Sequence, residues 1–163
     1  MNTNILVLDL DVKKNAEYYS DRDLTQKIPQ YCQMLADGQH RLGITIPGLN
    51  CSFDYESKEV SWIISSLGNY KWFRNALKSL MDEYFLRYYK HHYYQPMLDN
   101  CHLDIPEVLF QSKGLKPFIM SIDDKYVNEG NVVESFRNYY VNECLGFATY
   151  KNRVVPRWLV AES

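Results

Sequence analysis

The sequence predicts a mostly α fold: a compact single-domain helical bundle with one long central helix and, ahead of it, a short N-terminal strand or extended lead-in. Three observations carry this reading. Apolar residues recur at helical spacing along four stretches. Cap residues stand where those stretches begin. The 163 residues, 46% hydrophobic and 23% charged, suffice for one core, and no repeat, linker or low-complexity tract divides them.

Taken in order, Asn4 to Leu10 is a β-prone apolar run, either a strand or an extended, buried segment. Asp11 caps a short helix running to about Tyr19. Ser20-Asp21-Arg22-Asp23 forms the second cap, with Asp where Glu or Gln is usual. Leu24, Ile28, Tyr31, Cys32 and Leu35 then make one apolar stripe. Pro29 interrupts it and predicts a kink or a split near Ile28, and Gly38 or Gly43 ends the helix. Pro47-Gly48 and Asn50 make residues 44–56 a turn-bearing connection.

From Ser57 a shorter helix aligns Val60, Ile63, Ile64 and Leu67 and stops at Gly68. Asn69 caps the longest helix, Tyr70 to His91, about 33 Å in length. Its apolar side is Phe73, Leu77, Leu80, Met81, Tyr84, Phe85 and Tyr88. Pro96 and Pro106 bracket a turn-rich stretch. Residues 112–130, with Gly114, Pro117, Asp123, Asp124 and Gly130, form a long connection that is either a lid or a packed loop. Asn131 to Phe147 is the last main helix, built on Val133, Phe136, Tyr140, Cys144 and Phe147. Trp158 packs the tail back onto the body.

Composition narrows the function. The net charge of −2 argues against extended duplex binding, where neutralised phosphates supply most of the affinity, but leaves room for a local basic pocket. No apolar run reaches the roughly 20 residues that span a bilayer, and the first residues carry no basic region of a secretion signal. The cytosol is the expected location, with no membrane partner. Cys32, Cys51, Cys101 and Cys144 show no close pairing, so reduced, packed thiols are expected.

Aromatic and cationic residues interleave. Tyr88-Tyr89-Lys90-His91-His92-Tyr93-Tyr94 closes the long helix, Arg137-Asn138-Tyr139-Tyr140 lies in the last one, and Lys71, Arg74 and Arg87 surround Tyr70, Trp72 and Phe73. Aromatic faces stack on bases while guanidinium groups hold phosphates. The plainer reading is a tyrosine-rich core with basic side chains at its rim, and helical position favours it for Tyr84 and Tyr88. His91, His92, His102, Cys101 and Asp99 lack ligand spacing, so no metal is expected. His91 and His92 suit the negative end of a helix dipole. Asp21 and Asp23, beside Arg22 and Lys27 at a helix start, are the acid–base candidates. Capping explains Asp23 well and Asp21 less so. No phosphate loop, serine elbow or Cys/His pair is present, and no cofactor is expected.

In order along the chain stand Asn4-Ile5-Leu6-Val7-Leu8-Asp9, Ser20-Asp21-Arg22-Asp23-Leu24, Asn69-Tyr70-Lys71-Trp72, Asp82-Glu83-Tyr84, Ser135-Phe136-Arg137-Asn138-Tyr139-Tyr140 and Val155-Pro156-Arg157-Trp158. These segments resemble a group of small bacteriophage proteins over nearly the whole chain. That group is distantly similar to the phage-type pyrimidine-dimer DNA glycosylases, small all-helical enzymes that flip a base and cut a glycosidic bond. The resemblance implies an amine nucleophile at the N-terminus and an early acidic partner. Here Asn2 follows Met1, and Asp21 and Asp23 stand in the region of the acid without matching that motif.

The expectation is a helical pocket for a nucleobase-containing ligand, either a nucleotide or a flipped or single-stranded DNA base. Asp21 would anchor it or catalyse. Arg22, Arg74 and Arg137 would meet phosphate, Lys27 would be a further ligand contact, and Tyr70, Trp72 and Tyr139 would stack. A non-catalytic form would capture a nucleotide signal of host immunity; a catalytic form would be a glycosylase on damaged or modified pyrimidines. From a different class, a tyrosine patch would inhibit a host enzyme by binding it as a protein partner.

Overall fold

The computed structural model describes residues 4–44, 57–100 and 105–160. Seven α-helices lie among them: α1 (Val12–Tyr18), α2 (Asp21–Arg41), α3 (Lys58–Ile64), α4 (Leu67–Tyr88), α5 (Gln95–Asn100), α6 (Val132–Glu143) and α7 (Arg157–Val160). Two single 3-10 turns, Glu107–Leu109 and Asp124–Tyr126, complete the set. No strand occurs among the described residues, and none of their helices is long and apolar enough to cross a membrane. Much of the 44–56 connection, with Cys51, and the pair Cys101-His102 lie outside the described residues.

The predicted caps form. Asp11 accepts from the Lys13 and Lys14 amides, Ser20 from Asp23, Ser57 from Val60 and Asn131 from Glu134. The α2 helix runs unbroken through Pro29, because its apolar stripe is buried on both sides of the proline, from Leu24 and Ile28 to Cys32 and Leu35. That burial outweighs the one helical hydrogen bond Pro29 cannot donate. Gly38 does not end the helix; a Cβ there would lie 3.1 Å from Ile64 Cγ2, so glycine lets α3 approach. Termination comes past Leu42, with Gly43 at φ +85°.

The α3–α4 boundary differs from expectation by a few residues. Ser66, not Asn69, caps α4. Asn69 is buried instead: its Nδ2 donates to Trp62 O at 2.8 Å and Ser65 Oγ at 3.0 Å, and its Oδ1 accepts from the Lys116 amide. Gly68 lies inside the first turn of α4 because backbone crosses it there; a Cβ would stand 2.5 Å from Leu115 N. At the far end α4 stops at Tyr88, and Tyr89 takes a left-handed conformation (φ 56°) that closes the helix before the histidines.

Residues 112–121 are a packed strap across α3 and α4. Leu67 and Gly68 amides donate to Ser112 and Lys113 carbonyls. Trp62 Nε1 donates to Pro117 O, while Phe118 stacks on Trp62 and meets Trp72 edge-on.

Residues 4–8 settle the strand question: they are extended and buried, but pair with no strand. Side chains supply the bonds a sheet would have supplied. Lys27 Nζ donates to Asn4 O, the Leu6 amide donates to Tyr31 Oη, Tyr19 Oη donates to Leu6 O, the Leu8 amide donates to Asn15 Oδ1, and Arg137 Nε donates to Leu8 O. Alternate residues are thus satisfied from α1, α2 and α6 at once.

A second polar cluster locks α4 to the start of α2. Arg87, with no exposed side-chain surface, donates to Glu83 at 2.8 Å, to Asp21 at 3.1 Å and to the carbonyls of Ala16 and Glu17. Arg153 makes three further bonds to Glu83. Burial opposes ionisation of Glu83, yet hydrogen bonds from Arg153 and Arg87 prevail and hold its carboxyl below the ordinary range.

Candidate functional site

Helical spacing puts Arg22, Gln26 and Gln30, with Asp23 and Lys27 beside them, on the side of α2 that meets α6 and the Asp124–Tyr126 turn. On α6 the same rule pairs Tyr139 with Glu143, next to Cys144. Between them lies a cavity of about 460 Å³, lined also by Asp123, Tyr126 and Phe147. Its size is that of a site for a small organic molecule.

Three rings face this space. Tyr126 and Tyr139 meet edge-to-face at 5.8 Å, and the Arg22 guanidinium lies 4.3 Å from the centre of the Phe147 ring. Tyr126 donates a short hydrogen bond to Glu143, whose carboxylate is also 3.9 Å from Lys125 Nζ. Tyr140, behind the wall, donates a short bond to Asp23 Oδ2, and Ser20 Oγ donates to the same oxygen.

The electrostatics are mixed. Arg22 and Lys27 are cationic; Asp23, Asp123 and Glu143 are carboxylates. Lys27 is only 4% exposed, and its amine donates to Asn4 O at 3.1 Å and Asn4 Oδ1 at 2.9 Å. Burial pushes that amine down to about 8, against the pull of Asp23 and Glu59. Burial likewise pushes the Cys144 thiol up to about 12, so it is a neutral wall group. Gln30 Oε1 is buried and meets no donor among the described residues.

Of the residues expected to share one pocket, Arg22, Lys27 and Tyr139 do so. The others are dispersed. Asp21 uses both carboxylate oxygens: Oδ1 takes Arg87 and the Lys151 amide, Oδ2 takes Thr149 and the same amide. Tyr70 is fully buried, its ring against Phe110 and its hydroxyl receiving Gln39 Nε2, so it presents no stacking face. Trp72 donates its indole N–H to Leu10 O and packs on Phe118. Arg74 lines a separate, smaller recess of about 210 Å³ with Tyr70 and Glu107.

Arg137 lies across α6 from Tyr139. Its guanidinium lies beside the edge-to-face pair of Tyr18 and Trp158, 5.3 and 5.1 Å from their ring centres, and bonds Leu8 O and Asp9. It borders a different groove, with Asn131, Glu134 and Trp158. Residues 137 and 139 are neighbours in the chain, which suggests one pocket, but two positions along a helix point to opposite sides.

Gln26, Gln30, Asp123, Tyr126, Glu143 and Phe147 belong to the cavity without having been singled out as ligand contacts. The row Arg22-Gln26-Gln30 carried a readable signal, a polar stripe at i, i+4 spacing. Tyr126 carried none, since its position depends on how the 112–130 segment folds over.

Outside the cavity, the end of α4 exposes Phe85, Leu86, Tyr89 and Tyr93, the last two at 75% and 87%. His91 stacks on Phe85 at 4.5 Å, and His92 meets Tyr84 edge-on. Comparison with family models, with curated proteins and with solved structures finds no match to this chain.

Proposed function

We propose that the protein binds a small nucleobase-containing ligand, a nucleoside or nucleoside monophosphate, in the cavity between α2 and α6. The observation that carries this reading is the convergence of Arg22, Lys27 and Tyr139, read from the sequence as ligand residues, on one space of about 460 Å³ with further rings and two amides. Tyr139, Tyr126 and Phe147 offer aromatic faces; Gln26 and Gln30 offer the paired donor and acceptor that read a base edge.

Charge sets the class of ligand. Three carboxylates face two cations, and one of those cations is held by Asn4. Such a wall gives little grip on a polyphosphate or a duplex backbone. Asp21, the acid a glycosylase reading would use, has both oxygens bonded within the fold. The binder form, a host nucleotide signal among its candidate ligands, is therefore preferred to the enzyme.

Calorimetry with a panel of nucleosides, their monophosphates and a short single-stranded oligonucleotide tests this. Binding of a monomer, weakened about tenfold or more by Tyr139→Ala and by Arg22→Ala, is expected. Absence of any monomer binding at millimolar concentration refutes it.

A second reading rests on Phe85, Leu86, Tyr89 and Tyr93, large apolar side chains exposed about the end of α4, of the kind that dock another protein, here a host enzyme. Capture of one defined host enzyme by the wild type and its loss in Tyr93→Ala would favour that reading.

A further inference from the structure

We propose that the base held in the α2–α6 cavity is a cation, one alkylated on a ring nitrogen, and that Asp23 and Asp123 supply its countercharge. The inference rests on the cavity reading above and adds the charge of the ligand's base.

The charged side chains that line the cavity do not neutralise one another. Asp23 and Asp123 form no ion pair among the described residues. The hydrogen bonds they accept come from neutral groups: Asp23 Oδ2 from the Ser20 and Tyr140 hydroxyls, Asp123 Oδ1 from the Lys125 amide. Of the three carboxylates only Glu143 has an ion-pair partner among the described residues, Lys125 at 3.9 Å. The two cations of the wall are turned to other groups. Lys27 Nζ donates to Asn4 O and Asn4 Oδ1, and the Arg22 guanidinium lies 4.3 Å from the centre of the Phe147 ring.

The rings are the second observation. Two of them already draw cations, Arg22 onto Phe147 and Lys125, whose Nζ is 5.1 Å from the centre of Tyr126. Tyr139, edge-to-face with Tyr126 at 5.8 Å, adds a third ring to the same wall. A neutral base gains only stacking there. A base with a fixed positive charge gains stacking, attraction to the ring faces and the pull of two carboxylates that lack a countercharge. Spread over a heterocycle, that charge is weakly hydrated, as a guanidinium's is, so little hydration is lost on entry.

The test compares isomers in which one methyl group is moved from a ring nitrogen, where it fixes a positive charge, to the exocyclic nitrogen, where it does not. Calorimetry on the full chain at neutral pH sets 1-methyladenosine against N6-methyladenosine, and 3-methylcytidine against N4-methylcytidine. At least one cationic member should bind about tenfold or more tightly than its neutral isomer, and added salt should narrow the gap. Asp123→Asn keeps a capping side chain on its turn, and Asp23→Asn keeps an acceptor for Tyr140; each should cut the preference by about threefold. Circular dichroism checks that both variants fold, and Asp123→Asn, on an exposed turn, decides the matter if Asp23→Asn does not. Equal binding within both pairs, tighter binding of the neutral isomers, or a preference unchanged in the folded variants overturns the proposal and leaves the cavity reading standing. Binding of none of the four nucleosides overturns both.

Discussion

Replacing Arg87 by Met removes the charge at the centre of the α1–α2–α4 junction while keeping much of the side-chain volume. In the native fold Arg87 has no exposed side-chain surface, so solvent screening does not discount its interactions. It makes two charge-assisted bonds, to Glu83 and Asp21, and two to carbonyls of α1. Removing one partner of a buried ion pair generally destabilises by about 3–5 kcal/mol. Here neither carboxylate is left bare: Glu83 keeps Arg153, and Asp21 keeps Thr149 and the Lys151 amide. The lower part of that range, about 3–4 kcal/mol, is therefore expected. With a urea slope of about 2 kcal/mol/M the midpoint should fall by roughly 1.5–2 M.

The same variant should also alter the acid limb. Glu83 has its folded pKa below the ordinary 4.5. It therefore contributes stability that is fully present above 4.5 and is lost as pH falls through the lower folded value. With Arg87 gone, only Arg153 opposes burial, and the acid loss should shrink. Urea titrations at neutral and acid pH measure both effects. A midpoint shift under about 0.5 M at unchanged slope would show that Arg87 is not a mainstay of the junction.

Three further outcomes are expected. Lys27 has its amine at about 8 in the fold against 10.5 ordinarily, so between those values the unfolded chain binds a proton the folded chain does not, and stability rises with pH. Cys144 and the buried tyrosines act with opposite sign above their ordinary values, so the contribution is isolated as the stability of wild type minus that of Lys27→Met. That difference should grow in favour of wild type as pH rises through this window; a flat difference refutes it. Gly68→Ala places a Cβ 2.5 Å from Leu115 N and must push the strap off α4. Destabilisation of about 1–3 kcal/mol or more, with faster hydrogen exchange at the Leu67 and Gly68 amides, is expected, and an unchanged Tm would refute it. Tyr89→Gly relieves a left-handed tyrosine that is three-quarters exposed. A gain of about 1 kcal/mol is expected, and a lower Tm would mean that the Tyr89 ring packs more than its exposure implies.

Much of the fold was legible where one local rule sufficed. Asp11, Ser20, Ser57 and Asn131 cap as their side chains dictate, and α4 has the expected length displaced by about one turn. The displacement has a cause outside the helix: strap backbone over Gly68 and the burial of Asn69 move the start to Ser66. Pro29 misled because propensity is local and the packing that overrides it is not. The site was half legible. Arg22, Lys27 and Tyr139 meet because one helix row faces another, which spacing can encode. Tyr70 does not join them, since its partner Gln39 lies 31 residues away and leaves no trace in spacing, whereas Arg137 is excluded by the helix period itself, which turns it to the opposite side of α6 from Tyr139.

The extended segment 4–8 bears on how the chain reaches this state during synthesis. Its last carbonyl bond comes from Arg137, 129 residues later. On the ribosome Ile5, Leu6, Val7 and Leu8 emerge early, and their closing partner emerges only after all of α1 to α5. For most of translation a β-prone apolar stretch therefore has neither a sheet nor its full side-chain surrogate. Nascent chains cut short before α6 should be aggregation-prone through these residues, which makes the last long helix the element that renders the N-terminal segment safe.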